Sequence, residues 1–240
     1  MFYPFGDERL LCESILSNSN IRYLINTELL YRHFLDSGLH CIVGRASWFE
    51  PAFPRTVFHP RERGTDKKKR FFFYARPDNH RNLFQLGIAA LDRAINQGLF
   101  SEAEWDLYFV GKNIPPVVFG EAWAPLRREN LNWAEYAELA GTIDLALSLM
   151  STPHPSYPPL DMAASGAVVV TNRFGVKQDL AAYSENIICS DPSVDALVAA
   201  MRHAISLVES PRRWENFERN GLGQSWDQSF HHILNEFAGG

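Results

Sequence analysis

Between Arg70 and about Gly221 the chain alternates short, nearly all-apolar runs with segments whose apolar residues recur at helical spacing. A strand that reads as a continuous apolar run must be buried on both faces, and the interleaved helices supply the covering layers. The strand candidates are Phe71–Ala75, Asp106–Gly111, Ile143–Met150, Gly166–Asn172 and Asn186–Ser190. Between them, Asn82–Ile95 places Leu83, Leu86, Ile88, Ala89 and Ile95 at helical intervals. Asn132–Thr142 opens with Asn132 as N-cap and Glu135 three residues on, a capping-box pattern. Pro159–Ser165 reads as a short helix, and Asp191–Ser210 as a longer one with Asp191 as cap and Pro192 in its first turn. Strand, helix, strand in repetition predicts an α/β fold with a doubly wound parallel sheet.

The rest of the chain is less regular. The run from His59 to Arg70 (HPRERGTDKKKR) carries dense positive charge and almost nothing apolar, which predicts a solvated linker. Ahead of it, Tyr23–Gly38 reads as a capped helix and Leu39–Gly44 as a strand. Those two elements are too few for a doubly wound sheet of their own. The tail, Pro211–Phe237, reads as two helices broken at Gly221–Gly223. The expected organisation is therefore an incomplete α/β portion over 1–60, a linker over 61–70, a nucleotide-binding-type domain over 71–221 and a closing helix over 222–240.

Charge and cysteine content narrow the function. A formal net charge of -5 opposes nucleic acid or an anionic membrane as the main partner, since both select a basic footprint. Cys12, Cys41 and Cys189 are scattered and odd in number, with no C-x-x-C pair, as in a chain kept in a reducing compartment. The apolar runs are far short of the ~20 residues that cross a bilayer. The expectation is a cytoplasmic protein.

In parallel α/β sheets ligands bind beyond the carboxyl ends of the strands. Three loops there hold useful residues: Arg76 and Arg81 after the first strand, Gly111 and Lys112 at the second, and His154, Ser156, Tyr157 and Asp161 after the third. Guanidinium groups match phosphate oxygens, so Arg76 and Arg81 are candidates for a diphosphate. A helix starting near Pro158–Pro159 would present free N–H groups to an anion, with Leu160, Asp161 and their successors as the donors, since proline has none. Asp161 has two readings, a carboxylate favourable to its own helix dipole or an acceptor for a ribose diol. Glycine-rich phosphate fingerprints, a P-loop, a G-x-S-x-G elbow and a D-x-D metal clamp are all missing.

The stretches YARPDNHRNLFQLGIAAL, LNWAEYAELAGTIDLALSLMSTPHPSYPPLDMAASGAVVVTN and SENIICSDPSVDALVAAM resemble the donor-binding half of a GT-B glycosyltransferase. More narrowly they are similar to bacterial rhamnosyltransferases of the WsaF type, within the retaining GT4-like group. The segments FYPFGDERLLCES and RYLINTELLYRHFL resemble the end of that family's acceptor-side domain. The resemblance implies that Arg76 and Arg81 hold the donor diphosphate, and that Tyr157, Pro158, Pro159 and Leu160 lie along phosphates and sugar. It further implies that Asp161 takes the ribose hydroxyls, while Asn130, Leu131 and Gly111 flank the base. The GT4 pattern pairs acids eight residues apart; here Pro153 stands eight before Asp161.

The implied donor is a dTDP-sugar, dTDP-rhamnose in particular, with UDP-sugars suited to the same scaffold. No metal cofactor is implied. The implied partners are the nucleotide-sugar and a glycan acceptor; a lipid-linked acceptor would bring peripheral membrane association. An incomplete first domain would expose apolar surface and favour self-association. Catalytic residues are not identified. The competing readings are a catalytically incomplete module that binds nucleotide or a partner, and an epimerase on the same scaffold.

Overall fold

The computed structural model describes residues 13–63 and 68–238. Cys12, the segment FYPFGDERLLC and residues 64–67 of the charged run lie outside the described residues. The elements in chain order are β1 (Tyr23–Asn26), α1 (Glu28–Asp36), β2 (Ala46–Phe49), β3 (Lys69–Ala75), α2 (Phe84–Asn96), β4 (Trp105–Gly111) and β5 (Leu126–Glu129). They continue with α3 (Trp133–Ala140), β6 (Leu145–Leu147), α4 (Tyr157–Ala164), β7 (Val168–Asn172), β8 (Ile187–Ser190), α5 (Val194–Val208), α6 (Arg212–Glu218) and α7 (Trp226–Ala238). Two compact units result: Phe53–Gln224, and the chain up to Ala52 together with the chain from Ser225 onward. Among the described residues no helix is long and apolar enough to cross a membrane.

The smaller unit pairs β1 with β2 in parallel, Tyr23 opposite Ala46. Two expectations change here. Tyr23–Asn26 is a strand and not the start of a helix, because Thr27 at φ 77° turns the chain before α1 begins. Leu39–Gly44 is not a strand: His40–Ile42 forms a 3₁₀ turn, Gly44 at φ 75° reverses the chain, and the strand follows at Ala46. Helix α7 is fixed to β2 by Ser47 Oγ donating to Glu236 Oε2 at 2.6 Å, a His232 Nε2 bond to the Trp48 carbonyl at 2.9 Å, and Phe49 against Phe230.

The larger unit is an all-parallel sheet in the order β5-β4-β3-β6-β7-β8. The chain winds outward from β3 to β5, returns beside β3 and winds the other way, so the switch point lies between β3 and β6. The fold class is α/β, doubly wound, as the sequence pattern requires. Phe71, Phe72 and Phe73 are all fully buried, which only a strand covered on both faces allows. Phe71 and Phe73 join the cluster beneath α2 and α5, whereas Phe72 meets Tyr136 on the opposite face. Gly87 in α2 lies directly over Phe73, and a Cβ there would run into the ring.

Helix α3 carries the expected capping box: Asn132 Oδ1 accepts from Glu135 N at 3.0 Å and Glu135 Oε2 accepts from Asn132 N at 2.9 Å. At α5 the cap is Ser193, not Asp191, which instead accepts from Arg173 Nη1 at 3.2 Å. Strand β5 is not anticipated by any apolar run, since Leu126–Glu129 is exposed and charged, as edge strands commonly are.

The near end of the charged run is not a solvated tether. Arg61 N donates to the Gly141 carbonyl at 2.7 Å, and Arg63 pairs with Asp144 at 2.8 Å. Asp144, just ahead of β6, also takes Arg213 at 2.9 Å and the Arg70 N–H at 2.9 Å. Arg213 is 5% exposed and donates further to the carbonyls of Gly166 and Ile143. Breaking a buried pair from one side leaves an uncompensated charge, so Asp144→Ala should destabilise the unit by about 3–5 kcal/mol. Urea denaturation followed by circular dichroism measures this; a shift of well under 1 kcal/mol would show the node to be dispensable.

Candidate functional site

Four strand ends converge on one cavity of about 440 Å³. Its wall is built from Tyr74 and Arg76 at β3, Val110, Gly111 and Lys112 at β4, the segment Asn130–Trp133 after β5 with Tyr136 of α3, and Tyr157, Pro158 and Asp161 of α4. All lie at the carboxyl edge of the sheet, around the switch point. The volume falls in the ordinary range for small-molecule sites, roughly 300–1,000 Å³.

Of the positions named from sequence, Arg76, Gly111, Asn130, Leu131, Tyr157, Pro158 and Asp161 are brought together in this wall. Arg81, Pro159 and Leu160 do not line it. Arg81 sits in the short 3₁₀ turn His80–Asn82, its N–H and Nε directed to Asn79 Oδ1 and its carbonyl taking Ser151 N at 2.8 Å. Pro159 and Leu160 are buried within α4.

Local geometry explains each position. At Gly111 a Cβ would collide with the Ala75 carbonyl, so only glycine lets β4 end this close to β3. The Gly111 carbonyl accepts from Asn130 N at 3.2 Å, and Asn130 adopts φ 55°, which turns the chain from β5 toward α3. The loop after β4 is tied down by Ile114 N donating to Glu129 Oε1 at 2.9 Å and Asn113 Nδ2 donating to Asp78 Oδ2 at 2.5 Å. Two exposed cations, Arg76 and Lys112, thereby stand on adjacent strand ends at the cavity mouth.

Helix α4 begins at Tyr157, so Leu160 is its fourth residue and its N–H falls to intrahelical bonding, as does that of Asp161. Pro158 and Pro159 contribute no N–H, and Ser156 N is already given to His154 Nδ1 at 2.9 Å. The helix terminus therefore offers an anion few N–H groups. Negative charge in this cavity must be met mainly by side chains.

Asp161 is 5% exposed, and Tyr136 donates its hydroxyl to Oδ2 at 3.1 Å. Burial pushes its carboxyl up to about 7, with the Tyr136 hydrogen bond opposing the rise. Burial and the neighbouring carboxylate drive the Tyr136 phenol well above its ordinary value. Tyr136 thus stays a donor, and Asp161 changes charge near neutrality. Sequence reading missed Tyr136 and Trp133. Their signal was the capping box, which fixes α3 and places Trp133 first in it and Tyr136 one turn later. Trp133 is 62% exposed and rests edge-on against buried Phe58, with ring centroids 5.2 Å apart. Among the described residues no cluster of three or more His, Cys, Asp or Glu side chains could hold a metal ion.

The raised Asp161 carboxyl has a definite sign in stability. Its folded value lies above its unfolded one, so its contribution is fullest below about 4 and is lost as pH rises through about 7. Asp161→Asn should melt closest to the parent at about pH 4 and furthest above it at pH 8, as read by thermal denaturation. Equal melting offsets at both values would show that the carboxyl ionises without strain.

Comparison with known proteins gives the same architecture. The sequence profile described as "WsaF, C-terminal domain" matches residues 69–202. The O-antigen biosynthesis protein RfbC of Myxococcus xanthus is 36% identical over 189 residues, 76% of this chain but 14% of RfbC. Sucrose-phosphate synthase of Thermosynechococcus elongatus superposes with TM-score 0.68 at 13% identity, over 98% of this chain and 62% of that one. Alr3699/HepE of Anabaena, solved in complex with UDP-glucose, gives TM-score 0.68 at 12% identity, over 98% of this chain and 68% of that one. At such identities the structural likeness establishes the fold alone, a doubly wound α/β one. The match over 69–202 covers the whole sheet and its cavity wall, and the chain belongs to the WsaF C-terminal domain family.

Proposed function

We propose that this chain is the nucleotide-sugar-binding part of a glycosyltransferase acting in O-antigen or polysaccharide assembly. The observation that carries the reading is the cavity itself. Two cations, a buried carboxylate and an exposed indole converge at the switch point of a doubly wound sheet. Each answers one portion of a nucleoside diphosphate sugar: Arg76 and Lys112 the diphosphate, Asp161 the ribose diol, and Trp133 with Asn130, Leu131 and Gly111 the base. Tyr157 and Pro158 border the phosphates and the sugar.

In glycosyl transfer the bond from the anomeric carbon to the diphosphate oxygen breaks with its electron pair going to that oxygen, an acceptor hydroxyl oxygen bonds to the carbon, and the hydroxyl proton passes to the departing diphosphate or to solvent. Negative charge grows on the leaving diphosphate, so cations fixed beside it stabilise the transition state more than the bound ground state. Arg76 and Lys112 fill that role without a metal ion. The nucleotide is assigned as dTDP, with UDP as the alternative, and the sugar as rhamnose. HepE, related in fold, is solved with UDP-glucose. RfbC is named for O-antigen biosynthesis.

Calorimetric titration with dTDP, dTDP-rhamnose, UDP and UDP-glucose tests this reading; no binding of any by the folded protein would overturn it. Binding without transfer to glycan acceptors would make the chain a binding module. Arg76→Ala should weaken dTDP by about tenfold or more while leaving thymidine nearly unchanged, because it removes a charge-assisted contact to phosphate. Trp133→Ala should weaken dTDP and thymidine alike, by about tenfold, as loss of a base-stacking surface does. Equal effects of both substitutions on both ligands would rule out this division of labour.

A further inference from the structure

Met150 lies three residues past β6, and its carbonyl collects three donors. These are Thr152 N at 2.9 Å, Lys177 Nζ at 3.1 Å and Asn172 Nδ2 at 3.2 Å. Asn172 Oδ1 also accepts from Met150 N at 2.7 Å, so one buried amide brackets both polar groups of a single residue. Asn172 closes β7 and Lys177 lies in the turn after it; they are 1% and 0% exposed. A buried lysine has few reasons to be tolerated in a sheet's edge turn, and here its hydrogen bond runs to the backbone of another loop.

From Met150 a chain of contacts at two-residue intervals leads into the cavity. Thr152 N donates to Met150 O, His154 N donates to Thr152 Oγ1 at 3.4 Å, and Ser156 N donates to His154 Nδ1 at 2.9 Å. Pro153 and Pro155 fix φ between these points, which stiffens the segment. It ends at Ser156, the residue before α4, held at φ 72° and ψ 148°. A non-glycine residue there is strained and persists only where its surroundings over-determine it.

We propose that Asn172 and Lys177 are positioning residues which, acting through Met150, Thr152 and His154, hold Ser156 in its strained conformation and so aim Tyr157 and Asp161 into the cavity. The consequence for ligand rests on the nucleotide-binding reading above; the consequence for the loop does not. The relay requires His154 Nδ1 to be unprotonated, and burial with the nearby Lys177 charge draws that ring down to about 4. Lys177 itself is drawn down to about 8 by burial, with Cys189 opposing. The groups facing it are His154 from the loop and Cys189 from β8, whose thiol is pushed up to about 11 by burial; Arg173 and Asp179 act on Cys189. Between pH 7.5 and 9.5, Lys177 is the member of this group that changes charge.

The test pairs two substitutions at His154 with one at Lys177. Asparagine keeps an acceptor able to take an N–H two residues on, whereas phenylalanine keeps the ring volume and loses the acceptor. His154→Phe should weaken dTDP by about tenfold, and His154→Asn should stay within about threefold of the parent. Affinity of the parent should fall as pH rises through about 8 while its stability rises, since a lysine with a lowered folded value is relieved of buried charge as it deprotonates. Lys177→Met should lose both trends above pH 8 and keep only the change that Asp161 makes near pH 7. Equal losses in the two His154 variants, or a pH-independent parent affinity, would overturn the proposal. Should the parent bind no nucleotide, the nucleotide-binding reading falls, and the relay is judged by hydrogen exchange of the Ser156 amide in the free protein. Faster exchange in His154→Phe than in His154→Asn supports it; identical exchange overturns it.

Discussion

Three consecutive phenylalanines in β3 set the problem that the rest of the larger unit solves. Alternate side chains of a strand point to opposite faces, so Phe71 and Phe73 need one helical layer and Phe72 another. A parallel sheet can cover both faces of its central strand only by winding outward in one direction and then returning in the other. That reversal leaves β3 and β6 side by side with their following loops diverging. The crevice where the cavity forms is thus a by-product of burying β3. Two close approaches follow too: Gly87 must be glycine for α2 to lie over Phe73, and Gly111, in the cavity wall, must be glycine for β4 to end against Ala75.

The opposite edge of the sheet is closed by charge. Asp144 precedes β6 and gathers Arg63, Arg213 and the Arg70 N–H, while Arg213 also takes up the carbonyls of Ile143 and Gly166. Its neighbours in sequence are apolar, and its ligands come from three separate segments. Such a node fixes where α6 and the chain before β3 meet the sheet. It leaves the carboxyl edge free of stabilising duties, so that edge can carry exposed cations and an exposed indole.

The class of fold and most of the cavity wall were legible because both rest on local signals. Continuous apolar runs mark central strands, and the loops after them mark the binding edge wherever the strands sit in the sheet. What escaped was of two kinds. β5 is short, charged and exposed, and its strand character comes from pairing with Tyr108–Gly111 rather than from its own residues. Arg81 looked equivalent to Arg76 by type and loop, but a 3₁₀ turn directs it to Asn79. Tyr136, Asn172 and Lys177 act through partners 22 or more residues away, and Trp133 through an exposure that only the assembled helix defines. Periodicity carries no information about such pairs.

The isolated acid in the proline-rich loop is the point where these levels meet. An acid at the start of a helix is ordinarily accounted for by the dipole alone. Asp161, however, is the fifth residue of α4, past the first turn, and is buried against a tyrosine that donates to it. Neither circumstance serves the helix; each makes sense for a group that must accept hydroxyl hydrogen bonds. Pro158 and Pro159 strip the same terminus of the N–H groups that would otherwise draw a phosphate onto it. On the proposed nucleotide-sugar reading, a phosphate is thereby directed to Arg76 and Lys112, and a diol to Asp161. The loop's composition therefore separates two chemistries within one cavity, the charged part of a ligand at β3 and β4 and the neutral polar part at α4. Such a separation suits a ligand in which a diphosphate and a ribose are joined at a fixed spacing.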